Sequence, residues 1–138
     1  MKKCFFLFLA ALFFVFGCSD DNKGNPVAAS GDAFLGTWVY QDQAGLTTTT
    51  FKIKADSTFE RSMTMVGAVF SKEIGKWTVS NQKILLSKTN CQEVPGTSDD
   101  ITLVTIACDP ANEEIPIQIS GNKWTIPSDV GNLVFTKK

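Results

Sequence analysis

Alternation constrains this chain more than any other feature. In TTFKIKADSTFERSMTM, residues 49–65, Phe51, Ile53, Phe59, Met63 and Met65 fall on one parity when a short loop at 55–57 joins two strands. The opposite parity is mostly Thr, Lys, Glu and Ser. Side chains of a strand point alternately to its two faces, so this spacing predicts one buried face and one wet face. WTVSNQKILL repeats the logic: a two-residue turn at Asn81-Gln82 pairs Ser80 with Lys83, Val79 with Ile84 and Trp77 with Leu86. In IQISGNKWTI a turn at Gly121-Asn122 pairs Ile119 with Trp124 and Ile117 with Ile126. Gly-Asn tolerates the positive φ of tight hairpin turns, and Asn-Gln does so less well, which predicts a looser turn at 81–82. With further strands at 36–40, 69–79, 101–107 and 133–135, the expectation is eight to ten strands and no helix. Hairpin follows hairpin without a long crossover. The reading is therefore all-β, a small antiparallel up-and-down barrel that leaves no exposed edges, in preference to a sandwich of the same strands.

The first seventeen residues belong to a different regime. Lys2 and Lys3 precede an unbroken apolar run from Phe5 to Phe16, and Gly17 stands directly before Cys18. A charged start, a short greasy run and a small residue describe a cleaved export signal, and the run falls short of the ~20 apolar residues of a membrane-spanning helix. VFGC at 15–18 resembles the lipobox of bacterial lipoproteins. That resemblance implies removal of residues 1–17 as a signal peptide and acylation of Cys18, which then anchors the chain to a membrane. Several acyl chains at one end hold a protein stably where one chain does so only reversibly. The alternative is a plain secreted protein with an incidental Cys18. CSDD at 18–21 resembles the acidic export signal of some Bacteroidetes-type surface lipoproteins. The expected location is thus the outer membrane, periplasmic or surface-facing.

Residues 18–33 carry the lipidated cysteine and then Gly, Pro, Asn, Ala and acids, with Val27 the one sizeable apolar side chain. Such a segment buries too little to offset chain entropy and reads as a flexible tether. Residues 34–138 form the domain. Once Cys4 leaves with the signal and Cys18 is lipidated, Cys91 and Cys108 remain, and outside the cytoplasm the expectation is a structural disulfide between them. Losing Lys2 and Lys3 moves the net charge from −1 to −3. That balance argues against nucleic acid, which calls for clustered Lys and Arg.

FLGTWVY at 34–40 resembles the Gly-x-Trp signature on the first strand of lipocalins, carried by Gly36 and Trp38. KADSTF and GKWTVSNQKILL resemble the strand-turn-strand pattern of bacterial lipocalin-like lipoprotein domains. The resemblance implies a barrel whose Trp38 plugs the closed end near an Arg from the last strand. Here Lys137 and Lys138 stand in that region and no late Arg exists, which implies a different cap.

Chemistry is sparsely provided for. The chain has no histidine, which removes Ser-His and Cys-His pairs and the commonest zinc ligand. Asp56, Asp99, Asp100, Asp129 and the Glu113-Glu114 pair read as solvated turn carboxylates, so no enzyme, cofactor or metal is expected. One constellation stands apart. Arg61 shares the inward parity of Phe59 and Met63, and a turn centred on Gly67 places it opposite Glu73, which shares the parity of Trp77 and Val79. An inward Arg and Glu are costly apart and tolerable together. Three readings stand: a structural ion pair, a bulge at Gly75 that turns Glu73 outward, or a pair that orients the polar head of a ligand whose apolar part touches Phe51, Met63, Met65 and Trp77. The leading functional expectation is a membrane-anchored binding protein for a small, partly apolar molecule. The alternatives are a protein-interaction module similar to lysozyme-inhibiting lipoproteins, with CQEVPGTSDD at 91–100 as its loop, and an envelope spacer with a filled core.

Overall fold

The computed structural model describes residues 31–96, 101–129 and 131–138. Cys18, the signal segment, most of the tether, Asp99 and Asp100 lie outside the described residues. The chain opens with a single helical turn, α1 (Gly31–Phe34), where no helix was expected. Ten strands follow: β1 (Gly36–Gln41), β2 (Thr47–Ile53), β3 (Thr58–Met65), β4 (Ala68–Ser80), β5 (Lys83–Glu93), β6 (Val104–Ile106), β7 (Asn112–Pro116), β8 (Ile119–Ser120), β9 (Lys123–Ile126) and β10 (Leu133–Lys137). All pairings are antiparallel, and the fold is all-β with an up-and-down order.

The strand order β6-β5-β4-β3-β2-β1-β10-β9-β8 makes the sheet barrel-like, since the last long strand returns to pair with the first. The hydrogen-bond ladder does not close into a full ring. β7 leaves the ladder of β5 and, after Ile117 and Gln118 only, the chain joins β9 as β8. That switch overturns the expected Ile117–Ile126 pairing. The Ile117 amide donates to the Gln82 carbonyl on the β5 side, at 2.8 Å, while the Gln118 carbonyl accepts from Thr125 on the other. Two residues therefore bridge the seam. Of the stretch 101–107, Val104–Ile106 alone forms a strand, lying on the upper end of β5.

Register follows the turns. Ser80↔Lys83, Val79↔Ile84 and Trp77↔Leu86 pair as the sequence predicts. The turn between them is tight rather than loose, with Asn81 at φ 50° and Gln82 at φ 59°. Both residues sit in the left-handed region that a two-residue hairpin needs, at about 1–2 kcal/mol for a side chain such as Gln. The ladder on either side outweighs that cost.

One end of the barrel is plugged by aromatics. Phe34, Trp38, Phe59 and Trp124 are fully buried there, with Phe51 and Phe135 stacked above. The Trp124 ring meets Phe34, Trp38 and Phe51 edge-on at 5.4–5.9 Å, contacts that add roughly 0.5–1.5 kcal/mol each beyond area burial. Each indole N–H has an acceptor: Trp38 donates to the Phe34 carbonyl at 2.8 Å, Trp77 to Lys54 at 3.0 Å and Trp124 to Pro116 at 3.2 Å. Lys137 is the cap. Its Nζ lies 5.4 Å from the centre of the Trp38 ring and donates to the Ala33 carbonyl. Far above, a disulfide joins Cys91 on β5 to Cys108, seventeen residues on. Closing a loop of that size stabilises by ~3 kcal/mol in the chain-entropy view.

Candidate functional site

Four consecutive staves of the barrel each send one charged side chain inward. Arg61 comes from β3, Glu73 from β4, Lys88 from β5 and Glu113 from β7. Arg61 and Glu73 are direct cross-strand partners, as expected, although the turn itself pairs Met65 with Ala68 and an extra residue at Phe70 on β4 restores the register from Met63↔Ser71 onward. A bulge does occur beside Gly75, but Glu73 still faces in, because the extra residue is Thr89 on β5: Ile74 pairs with Asn90 and Gly75 with Lys88. That extra residue has a consequence for β5. Ile84, Leu86 and Lys88 point inward on even numbers, and beyond the bulge Cys91 does so on an odd one.

The cluster is tightly cross-bonded. Arg61 forks onto Glu113, with Nη1 to Oε1 at 3.0 Å and Nη2 to Oε2 at 2.8 Å, and its Nε donates to Glu73 Oε2. Lys88, whose side chain is 3% exposed, reaches Glu73 Oε1 and Glu113 Oε2, each at 3.1 Å. The guanidinium also lies over the Phe51 ring, 5.1 Å from its centre. Burial works against charge on both Arg61 and Glu113, yet their mutual hydrogen bonds win. The Arg61 pKa is held above its ordinary value by Glu113 and Glu73, and that of Glu113 is held below the usual carboxylate range by Arg61 and then Lys88. No buried side-chain nitrogen or oxygen among the described residues lacks a partner.

This geometry predicts an acid limit to stability. A carboxylate whose folded pKa is depressed stabilises above its unfolded pKa, about 4.3 for Glu, and the contribution disappears as pH falls through the folded value. Urea midpoints should be level between pH 7 and roughly 5 and should fall below about pH 4. Glu60, Asp42 and Asp56 are also depressed, so Glu113→Gln should flatten the acid limb in part. An unchanged limb in that variant would remove Glu113 from the account.

Above the aromatic plug, in the half of the barrel away from α1, lies a cavity of about 330 Å3. Tyr40, Thr49, Phe51, Met63, Ser71, Ile115, Ile126, Leu133 and Phe135 form its walls, and Arg61, Glu73 and Glu113 form one polar side. Of the residues the sequence proposed, Phe51, Arg61, Met63 and Glu73 meet here. Met65 and Trp77 do not. Met65 sits where β3 runs out into the Val66-Gly67 turn, is 43% exposed, and borders a separate apolar depression with Val66, Val69, Phe70, Val94 and Ile101. Trp77 has the right parity but the wrong height, since it lies below Gly75 in the closed half with its indole bonded to Lys54.

Reading Glu113 as a solvated turn residue is corrected as well, because it belongs to β7 and faces the interior. Its signal was present in the two-residue spacing Glu113, Ile115, Ile117, and that of Lys88 in Ile84, Leu86, Lys88. Glu114, on the outer face, pairs with Lys83 instead. In comparison with known proteins, the chain matches no family model and no curated protein.

Proposed function

We propose that this is a lipid-anchored binding protein of the cell envelope, its lipocalin-like barrel held to the outer membrane through acyl chains on Cys18 and taking a small, partly apolar ligand in the open half of the barrel. The cavity carries this reading: apolar walls with a few placed polar groups on one side are the usual composition of a small-molecule site, and about 330 Å3 falls at the small end of the range for such sites. The lining residues lie in the half of the barrel away from α1.

A second reading draws on the rim. Leu46, Val66 and Ile101 are 56%, 79% and 66% exposed around the open end, a pattern that suits contact with another protein. Native mass spectrometry of the mature protein, extracted gently from its own membrane, separates the two. The expected spectrum shows the chain from Cys18 with acyl mass added and a retained small molecule of a few hundred daltons or less. A co-purifying protein without a small molecule would favour the rim. A chain without acyl mass would remove the anchor.

A further inference from the structure

The charges of the cavity have a bearing on what it accepts. We propose that the site selects a neutral ligand, an apolar molecule ending in a hydroxyl or amide, over a carboxylate or an ammonium of the same length. This rests on the ligand-binding reading above and names the chemical class that the reading leaves open.

Two cations and two carboxylates make up the buried cluster, and their formal charges sum to zero. Every carboxylate oxygen already holds a cation: Glu73 Oε1 holds Lys88, Glu73 Oε2 holds Arg61, Glu113 Oε1 holds Arg61, and Glu113 Oε2 holds both. An anionic ligand would need Arg61 or Lys88 for itself. Taking either leaves the two half-buried glutamates to share one cation, a costly state in a poorly solvated site. The cations are also not equally reachable. Lys88 is enclosed behind the glutamates, so the charged groups that face the cavity are one guanidinium and two carboxylates. That face repels an anion. A cation meets carboxylate oxygens that are already occupied, and it must give up its own water to compete for them.

A neutral polar group faces neither obstacle. Tyr40, Thr49 and Ser71 line the same cavity, and a hydroxyl both donates and accepts, so these residues suit a hydroxyl or amide without moving the cluster. Taking about 30 Å3 per water-sized group, the volume admits on the order of ten non-hydrogen atoms. Octan-1-ol, octanoate and octylammonium are of that size and differ in charge.

The test is calorimetric titration of these three compounds at pH 7.5 into the mature lipoprotein in nanodiscs, with empty nanodiscs as the blank. Octan-1-ol should bind at least about ten-fold more tightly than either ion, a difference of 1.4 kcal/mol. Octanoate or octylammonium binding as well as the alcohol would overturn the neutral selection while leaving the cavity as a binding site. No heat above the blank from any of the three would remove the ligand-binding reading, and this inference with it. In Glu113→Gln the cluster carries a net positive charge, so the preference for alcohol over octanoate should narrow by about ten-fold. A ratio unmoved in a folded Glu113→Gln protein would overturn the charge-balance argument, and the wild-type comparison stands if that variant does not fold.

Discussion

Gly75→Ala should destabilise the barrel by at least about 3 kcal/mol, the upper end of what overpacking costs, and should lower the urea midpoint more than alanine at any other described glycine. A Cβ at this position would stand 2.1 Å from the Ser87 carbonyl oxygen and 2.9 Å from the Lys88 Cα, both backbone atoms of β5, and 2.8 Å from the Phe59 ring. A flexible side chain would yield, but these atoms do not. β5 is held on one side by β4 and on the other by β7, and Phe59 is fully buried. Relief would require pulling β5 away at the bulge, which would carry Lys88 off Glu73 and Glu113. Gly96→Ala is the control: a Cβ there meets nothing within 4 Å, and the midpoint should hardly move. A Gly75→Ala protein as stable as the wild type would mean that the strands at the bulge are not packed as described.

The bulge also shows how far the sequence could be read. Short turns fix a hairpin's register, so the pairings around Asn81-Gln82 and the one between Ile119 and Trp124 were legible from spacing, whereas the facing of Arg61 and Glu73 also depends on the extra residue Phe70 on β4. Parity assigns a side chain to a face, and does so well for Phe51, Ile53 and Phe59. It does not assign a height within the barrel. Trp77 therefore shared the parity of the cavity residues while lying in the plug, and Met65 shared it while lying past the end of the wall. Irregularities defeat the count altogether. One extra residue at Thr89 shifts the inward set from Lys88 to Cys91, and β7 abandons β5 at Pro116 because the chain must cross the seam. No local pattern announces that crossing from β5 to β9. Lys88 and Glu113, two of the four members of the ion cluster, carried the inward parity of their strands, but the pairing of β5 with β7 that brings them together was not legible from it.

Arg61→Met should cost about 3–5 kcal/mol at neutral pH, the usual consequence of removing one partner from a buried ion cluster. The loss is more than that of a single pair. Arg61 supplies the bidentate contact to Glu113 and a further bond to Glu73, so its removal leaves two carboxylates to share Lys88. One negative charge is then surplus in a half-buried site. Protonation neutralises it, so the gap in urea midpoint between wild type and variant should shrink as the pH is lowered from 7 towards 4. Removing the surplus charge directly should act in the same direction. Arg61→Met combined with Glu113→Met leaves Lys88 paired with Glu73 at 3.1 Å, and replacing a buried pair by apolar side chains of similar size is often close to neutral. The double variant should therefore regain most of the stability lost in the single one. If instead the two substitutions added, the cluster would act as separate surface charges, and both its balance and its claim to shape the cavity's selectivity would fall together.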